Sequence, residues 1–223
     1  MFESNYRLLC SKRRKRMALR INSEGILELL APEGTTAAAA DKVIANHRKV
    51  IEKLFQEFSA KAPAPRYEFK EGELFPLWER KLRLKLSARL LMMTENELIV
   101  PSGSPEEIRK NIETLYRRTA PELLMEKCRF FGRSHQLMPL SVGVTGAVSR
   151  WGSCNSRKHI SFCWKVLLLP EELADYIVCH ELAHLRELNH SARFWALTEL
   201  LCPGALEKRK KLRQLPELWP EEK

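Results

Sequence analysis

Three of the chain's six histidines fall in one short run, His180-Glu181-Leu182-Ala183-His184-Leu185-Arg186-Glu187-Leu188-Asn189-His190. On a helix through 180–187, His180 and His184 sit one turn apart on one face. Both imidazoles can then hold one zinc ion, and Glu181, about 100° round the helix, can reach a water on that ion. His190 sets a geometric condition. On a continued helix it would lie ~15 Å along the axis from His180, too far to share an ion bound at ~2.1 Å. It joins only if the helix ends near Leu188-Asn189 and the chain turns back. Asn189 is one of the few non-glycine residue types that takes the left-handed conformation ending a helix. Ser191 offers an N-cap for the segment that follows, Ser191-Ala192-Arg193-Phe194-Trp195.

The helix wheel agrees with a metal face. With His180 at the origin, Ala174, Val178, Leu182 and Leu185 gather on the far side as a buried back, while His184 and Glu187 fall on the histidine side. Glu187 leaves the third ligand open to a second reading: its carboxylate either coordinates the metal or orients a histidine. The turn expected at Asn189 favours His190. Zinc held by three protein ligands keeps a fourth position for water and lowers the pKa of that water to about 7. Glu181 would take the proton and pass it to the leaving group. Nickel, cobalt and manganese also accept such a ligand set.

Composition narrows the class. No apolar run approaches the ~20 residues of a membrane span, and the N-terminus lacks a signal-peptide pattern. The six cysteines are scattered, with no C-x-x-C pair. A reduced, cytoplasmic protein is expected, without a cysteine zinc knuckle. The balance of 38 Lys+Arg against 28 Asp+Glu gives a net charge of +10. Much of the excess lies in Lys12-Arg13-Arg14-Lys15-Arg16 and Lys208-Arg209-Lys210-Lys211-Leu212-Arg213. Such runs are solvated faces or attract a polyanion: nucleic acid, a nucleotide or an acidic protein.

Along the chain, residues 12–31 read as a β-hairpin turning at Asn22-Ser23-Glu24-Gly25, with the basic cluster at an exposed sheet edge. Residues 36–59 read as one helix, and Lys61-Ala62-Pro63-Ala64-Pro65 as a linker. Short strands follow between 67 and 100; in one of them, Lys81-Leu82-Arg83-Leu84-Lys85-Leu86, the cations line a wet face. Ser104-Pro105-Glu106-Glu107 opens a helix to about 131, with a stutter near Pro121 and an end at Gly132. Strands at Leu140–Val148 and His159–Trp164 flank Arg150-Trp151-Gly152-Ser153-Cys154-Asn155. Pro170-Glu171-Glu172 opens the metal-site helix. The expected division is 1–62, a hairpin plus helix; 66–101, a small antiparallel sheet region; and 104–215, the metal-binding catalytic domain.

His180–His190 looks like the zincin signature, with the histidine spacing of metzincins but with Glu187 where they carry glycine. With Arg150-Trp151-Gly152-Ser153-Cys154, the strand at Ile160-Ser161, Pro170 and Asn189-His190-Ser191-Ala192-Arg193-Phe194-Trp195 included, the chain resembles the YgjP-like family of metallopeptidases. It is similar, more distantly, to zinc-protease domains of the SprT type. The resemblance implies an α+β fold with a zincin-like C-terminal domain. It also implies zinc at His180, His184 and His190, with Glu181 catalytic. In zincins a sheet edge beside the metal helix holds extended substrate, and the strand near His159–Trp164 is the candidate here. Arg150 is a candidate substrate-binding cation, for a carboxylate or phosphate.

Three functions compete. The first is a zinc-dependent metallopeptidase acting on a polypeptide. The second keeps the metal and hydrolyses a phosphoanhydride, as a nucleotide pyrophosphatase; zinc-activated hydroxide attacks phosphorus too, and the positive field suits a polyanion. The third is a nucleic-acid-binding adaptor with a structural metal site, although no recognised binding motif accompanies the basic hairpin.

Overall fold

Gly25, at φ +81°, supplies the left-handed residue that reverses the N-terminal chain, and Asn22 closes the turn through its backbone and its Oδ1. The computed structural model describes residues 6–22, 25–59, 65–146 and 150–219, so Ser23 and Glu24 of the expected turn lie outside the described residues. The architecture is α+β. The chain divides into two compact units, Met1–Ala64 with Gln214–Glu217, and Pro65–Arg213 with Leu218–Lys223.

In the first unit the expected hairpin is β2 (Ala18–Ile21) against β3 (Leu27–Pro32). A further strand, β1 (Tyr6–Ser11), pairs parallel to β3 on its other side. The basic cluster therefore lies in the β1–β2 connection rather than on an edge strand, a correction with a simple cause: parallel pairing needs a crossover between the strands. The helix expected over 36–59 is two, α1 (Ala37–Asn46) and α2 (Arg48–Ser59), parted where His47 leaves helical geometry at φ −114°, ψ 24°. Thr36 caps α1. Leu27, Leu29, Ala40 and Ile44 form this unit's core. The linker residues Lys61-Ala62-Pro63-Ala64 lie outside the described residues.

The second unit opens with a four-stranded sheet in the order β4 (Leu74–Leu77), β5 (Arg80–Ser87), β7 (Glu97–Pro101), β6 (Met92–Met93). The sheet is mixed, not antiparallel as expected, because β5 and β7 run parallel. The alternation along β5 is as read: Leu82 and Leu84 are buried, while Lys81, Arg83 and Lys85 are exposed. Helix α3 (Pro105–Gly132) begins in a full capping box, Ser104 and Glu107 each bonding the other's backbone N–H, and runs unbroken through Pro121. Strands β8 (Ser141–Thr145), β9 (Gly152–Cys154) and β10 (His159–Cys163) form a third sheet with β10 in the middle, parallel to β8 and antiparallel to β9. Residues 147 and 148 of the expected 140–148 strand lie outside the described residues.

Helix α4 (Glu171–Ala183) packs against α3 and β9. Lys127 of α3 ties it down, reaching Glu171 at 2.7 Å and Asp175 at 2.5 Å. Helices α5 (Ala192–Leu201) and α6 (Ala205–Gln214) follow. Among the described residues no helix is long and apolar enough to cross a membrane.

The end of α3 is tightly constrained. A Cβ at Gly132 would fall 2.0 Å from the Leu137 carbonyl oxygen, a backbone atom with little room to move. Gly132→Ala is expected to destabilise the protein by about 2 kcal/mol or more, the range of overpacked sites; denaturant unfolding of the two proteins measures it.

Candidate metal centre

Helix α4 is buried on nearly every side, from Leu173 to Ala183. That burial holds its C-terminal residues at fixed positions. His180 sits on the last turn, and His184 is the C-cap, with its N–H on the His180 carbonyl at 3.4 Å. The α-helix thus ends at Ala183, earlier than expected. The reversal is a tightened turn in which Leu185 N–H donates to Leu182 O, and the N–H groups of Arg186 and Glu187 both donate to Ala183 O. Asn189 is not among the residues with positive φ, so the left-handed turn expected there does not form. Orphan carbonyls of the helix end are satisfied by these short-range bonds instead. Ser191 caps α5 as expected, accepting from Phe194 N–H at 3.3 Å.

The turn brings the three histidines together. One ligand atom from each of His180, His184 and His190 lies within 4.8 Å of the others, and the ring centroids stand 5.0, 5.0 and 4.8 Å apart. Phe194, fully buried, packs against all three rings at 4.5 to 4.8 Å. The Nε2 atoms of His180 and His190 face each other at 3.1 Å. Two ligand nitrogens on one tetrahedral ion would be ~3.4 Å apart, given bonds of ~2.1 Å. His184 Nδ1 lies 3.0 Å from the Glu187 carbonyl oxygen; donating there, the ring keeps its Nε2 lone pair for a metal. Burial, reinforced by the charges of His184, His190 and Arg209, pulls His180 down to about 3, and burial likewise lowers His190. Both are held in the neutral form that a metal requires. The donor set fits a metal ion such as zinc. Glu187 enters through its main chain; its carboxylate is not part of the cluster.

Glu181 is 5% exposed. It lies against the backbone of β9: a Cβ on Gly152 would fall 2.6 Å from Glu181 Oε1 and 2.7 Å from its Cγ. Its Oε2 is buried with no hydrogen-bond partner. Burial pushes the carboxyl up to about 8, and the charge of Arg150 opposes the shift. Arg150 itself is exposed at the start of this segment. Cys154 is pushed up to about 11 by burial and by Glu181, the wrong direction for a nucleophile.

The strand expected to offer a substrate edge, His159–Trp164, does not: β10 is paired on both sides. The edge beside α4 belongs to β9. Sequence reasoning also passed over Gly152, although a glycine inside a short strand signals close approach of a neighbouring group. Phe194 belongs to the core. Trp195 is only half buried and stacks on His190 at 5.9 Å and 27°.

The model of the YgjP-like family's metallopeptidase domain matches residues 15–215. The chain belongs to that family and is a metal-dependent hydrolase of the metallopeptidase type. Among solved structures it is similar to the crystal structure of the metallopeptidase zymogen of Pyrococcus abyssi abylysin, at 29% identity over 41% of this chain and 90% of that one, with a TM-score of 0.36. No curated protein matches it.

Two outcomes are expected. Gly152→Ala should displace Glu181 and lower turnover about 100-fold, the cost of a misplacement of ~1 Å, while metal content, measured by atomic absorption, stays at the wild-type level. Glu181 also gives a pH signature in protein stripped of metal. The unfolded carboxyl ionises near 4.5 and the folded one near 8. Between those values the folded state holds the extra proton, so stability falls as pH rises. Relative to Glu181→Gln, the wild type should lose about 3 kcal/mol between pH 5 and pH 8; urea unfolding at the two pH values checks the sign.

Proposed function

We propose that this member of the YgjP-like family is a zinc peptidase in which Glu181 moves the proton. The observation that carries the reading is one buried carboxyl next to His180 at the end of α4, where the chain reverses and three imidazoles converge. His180, His184 and His190 would hold the zinc, which supplies a Lewis acid able to activate water at neutral pH. Glu181 Oε2, buried and without a partner, would accept the proton of the attacking water. The neutral histidines bring no charge of their own; a cation held by them would lower the Glu181 carboxyl again from its elevated value, leaving it ionised as a base. Once protonated, the buried carboxyl is a good donor to the leaving amine. Gly152 keeps it in place.

The edge strand β9 supports the choice of a peptide. Its outer side offers backbone groups to an extended chain beside the metal helix, and strand addition of this kind binds main chain with little regard to sequence. Arg150, exposed at the strand's start, would meet an acidic group of that chain.

Glu181→Gln is the decisive variant. It should retain zinc and lose turnover by at least about 1000-fold, since both proton transfers go with it. Purified zinc-loaded protein is to be offered unfolded polypeptides and a nucleotide panel side by side. Cleavage of polypeptides that vanishes in Glu181→Gln is expected; release of pyrophosphate from a nucleoside triphosphate with no peptide cleavage would replace this reading with the phosphohydrolase one.

A further inference from the structure

We propose that Arg209 binds a carboxylate of the peptide substrate beside the three histidines, so that an acidic group near the scissile bond selects which peptides are cut. This rests on the peptidase reading above.

The placement of Arg209 is built, not incidental. Helix α6 is tied to α5 by Glu199, whose carboxylate accepts from Gly204 N–H at 2.7 Å and from Ala205 N–H at 3.0 Å. Lys208 adds bonds to Cys202 and to the Pro203 carbonyl, and Lys211 reaches Glu172 of α4 at 2.9 Å. These ties hold the Arg209 guanidinium 4.9 Å from the centroid of the Trp195 ring. Trp195 in turn stacks on His190 and stands 6.0 Å from the His180 ring.

Among the described residues Arg209, unlike Lys210 and Lys211, has no carboxylate partner. Lys210 is spent on Glu207 at 2.7 Å and Lys211 on Glu172, while Lys208 is held by a thiol and a carbonyl. Among the described residues no carboxylate lies within 4.0 Å of Arg209. A tryptophan face attracts a guanidinium but does not neutralise it. A half-buried cation left unneutralised beside a reaction centre is suited to an anionic group that arrives with the substrate. The guanidinium fork matches a planar carboxylate in a paired geometry. The charge count favours a carboxylate over a nucleoside triphosphate: one guanidinium balances one carboxylate, whereas several phosphate charges would need several free cations.

A free C-terminus and an acidic side chain present the same group, and the test separates them. Peptide hydroxamates are used as probes, titrated calorimetrically into zinc-loaded protein. They come in matched pairs: C-terminal acid against amide, and Glu against Gln at the adjacent position. At least one acidic member should bind the wild type about 10- to 100-fold more tightly than its neutral partner. In Arg209→Met, which keeps an apolar stem over Trp195, that preference should shrink to about twofold or less. Arg209→Lys, with the charge but not the fork, should fall between. The pair that shows the preference identifies the source of the carboxylate. No acidic preference in the wild type, an unchanged preference in Arg209→Met, or equal weakening of acidic and neutral probes would overturn the proposal, the last by giving Arg209 a structural role only. Tighter, Arg209-dependent binding of a nucleoside triphosphate would overturn it in favour of phosphate. The peptidase reading fails separately, if wild-type protein binds these probes yet cleaves none of the corresponding peptides.

Discussion

A carboxyl group buried next to a cluster of three histidines is the constraint on which the second unit turns. An ionised carboxylate away from water is costly unless it is paired, and Glu181 has an oxygen with no partner. The fold tolerates this because α4 is enclosed by α3 and β9, with Lys127 fixing its first half, so the carboxyl cannot swing out to solvent. Gly152 then removes the one side chain that would occupy the same space. The cost is carried by the large apolar surroundings of α4. It leaves a group whose protonation answers to whatever charge is placed next to it.

The histidine face depends on the same enclosure. A helix that must end between its second and third ligand would ordinarily fray. Here the end is held from beneath by Phe194, which touches all three rings, and from the C-terminal side by the Ser191 cap. Burial favours neutral imidazoles at His180 and His190, and a main-chain bond selects which nitrogen His184 turns outward. Preorganisation of this kind means that little rearrangement is needed when an ion arrives.

The parts legible in the sequence were those set by local periodicity and short-range bonding. The His180–His184 spacing, the Ser104–Glu107 capping box, the Ser191 cap and the alternation along β5 each rest on contacts a few residues apart. Helix spacing also singled out Glu181, the need for a chain reversal singled out His190, and the family resemblance implied the same residues. What escaped was non-local or depended on competing turn chemistry. The pairing of β1 with β3, the parallel β5–β7 pair and the central position of β10 are set by distant partners. The break at His47 is one residue in an otherwise helical pattern. Asn189 is a residue that favours left-handed geometry, yet the turn closed earlier, through the carbonyls of Leu182 and Ala183. Gly152 and Arg209 owe their place to neighbours far off in the chain, which no spacing rule reveals.

The bond from His184 to Glu187 has a further meaning. Residue 187 serves the imidazole with its carbonyl oxygen, and every amino acid brings one. A substitution at 187 that keeps the backbone path would keep this bond whatever side chain it brings.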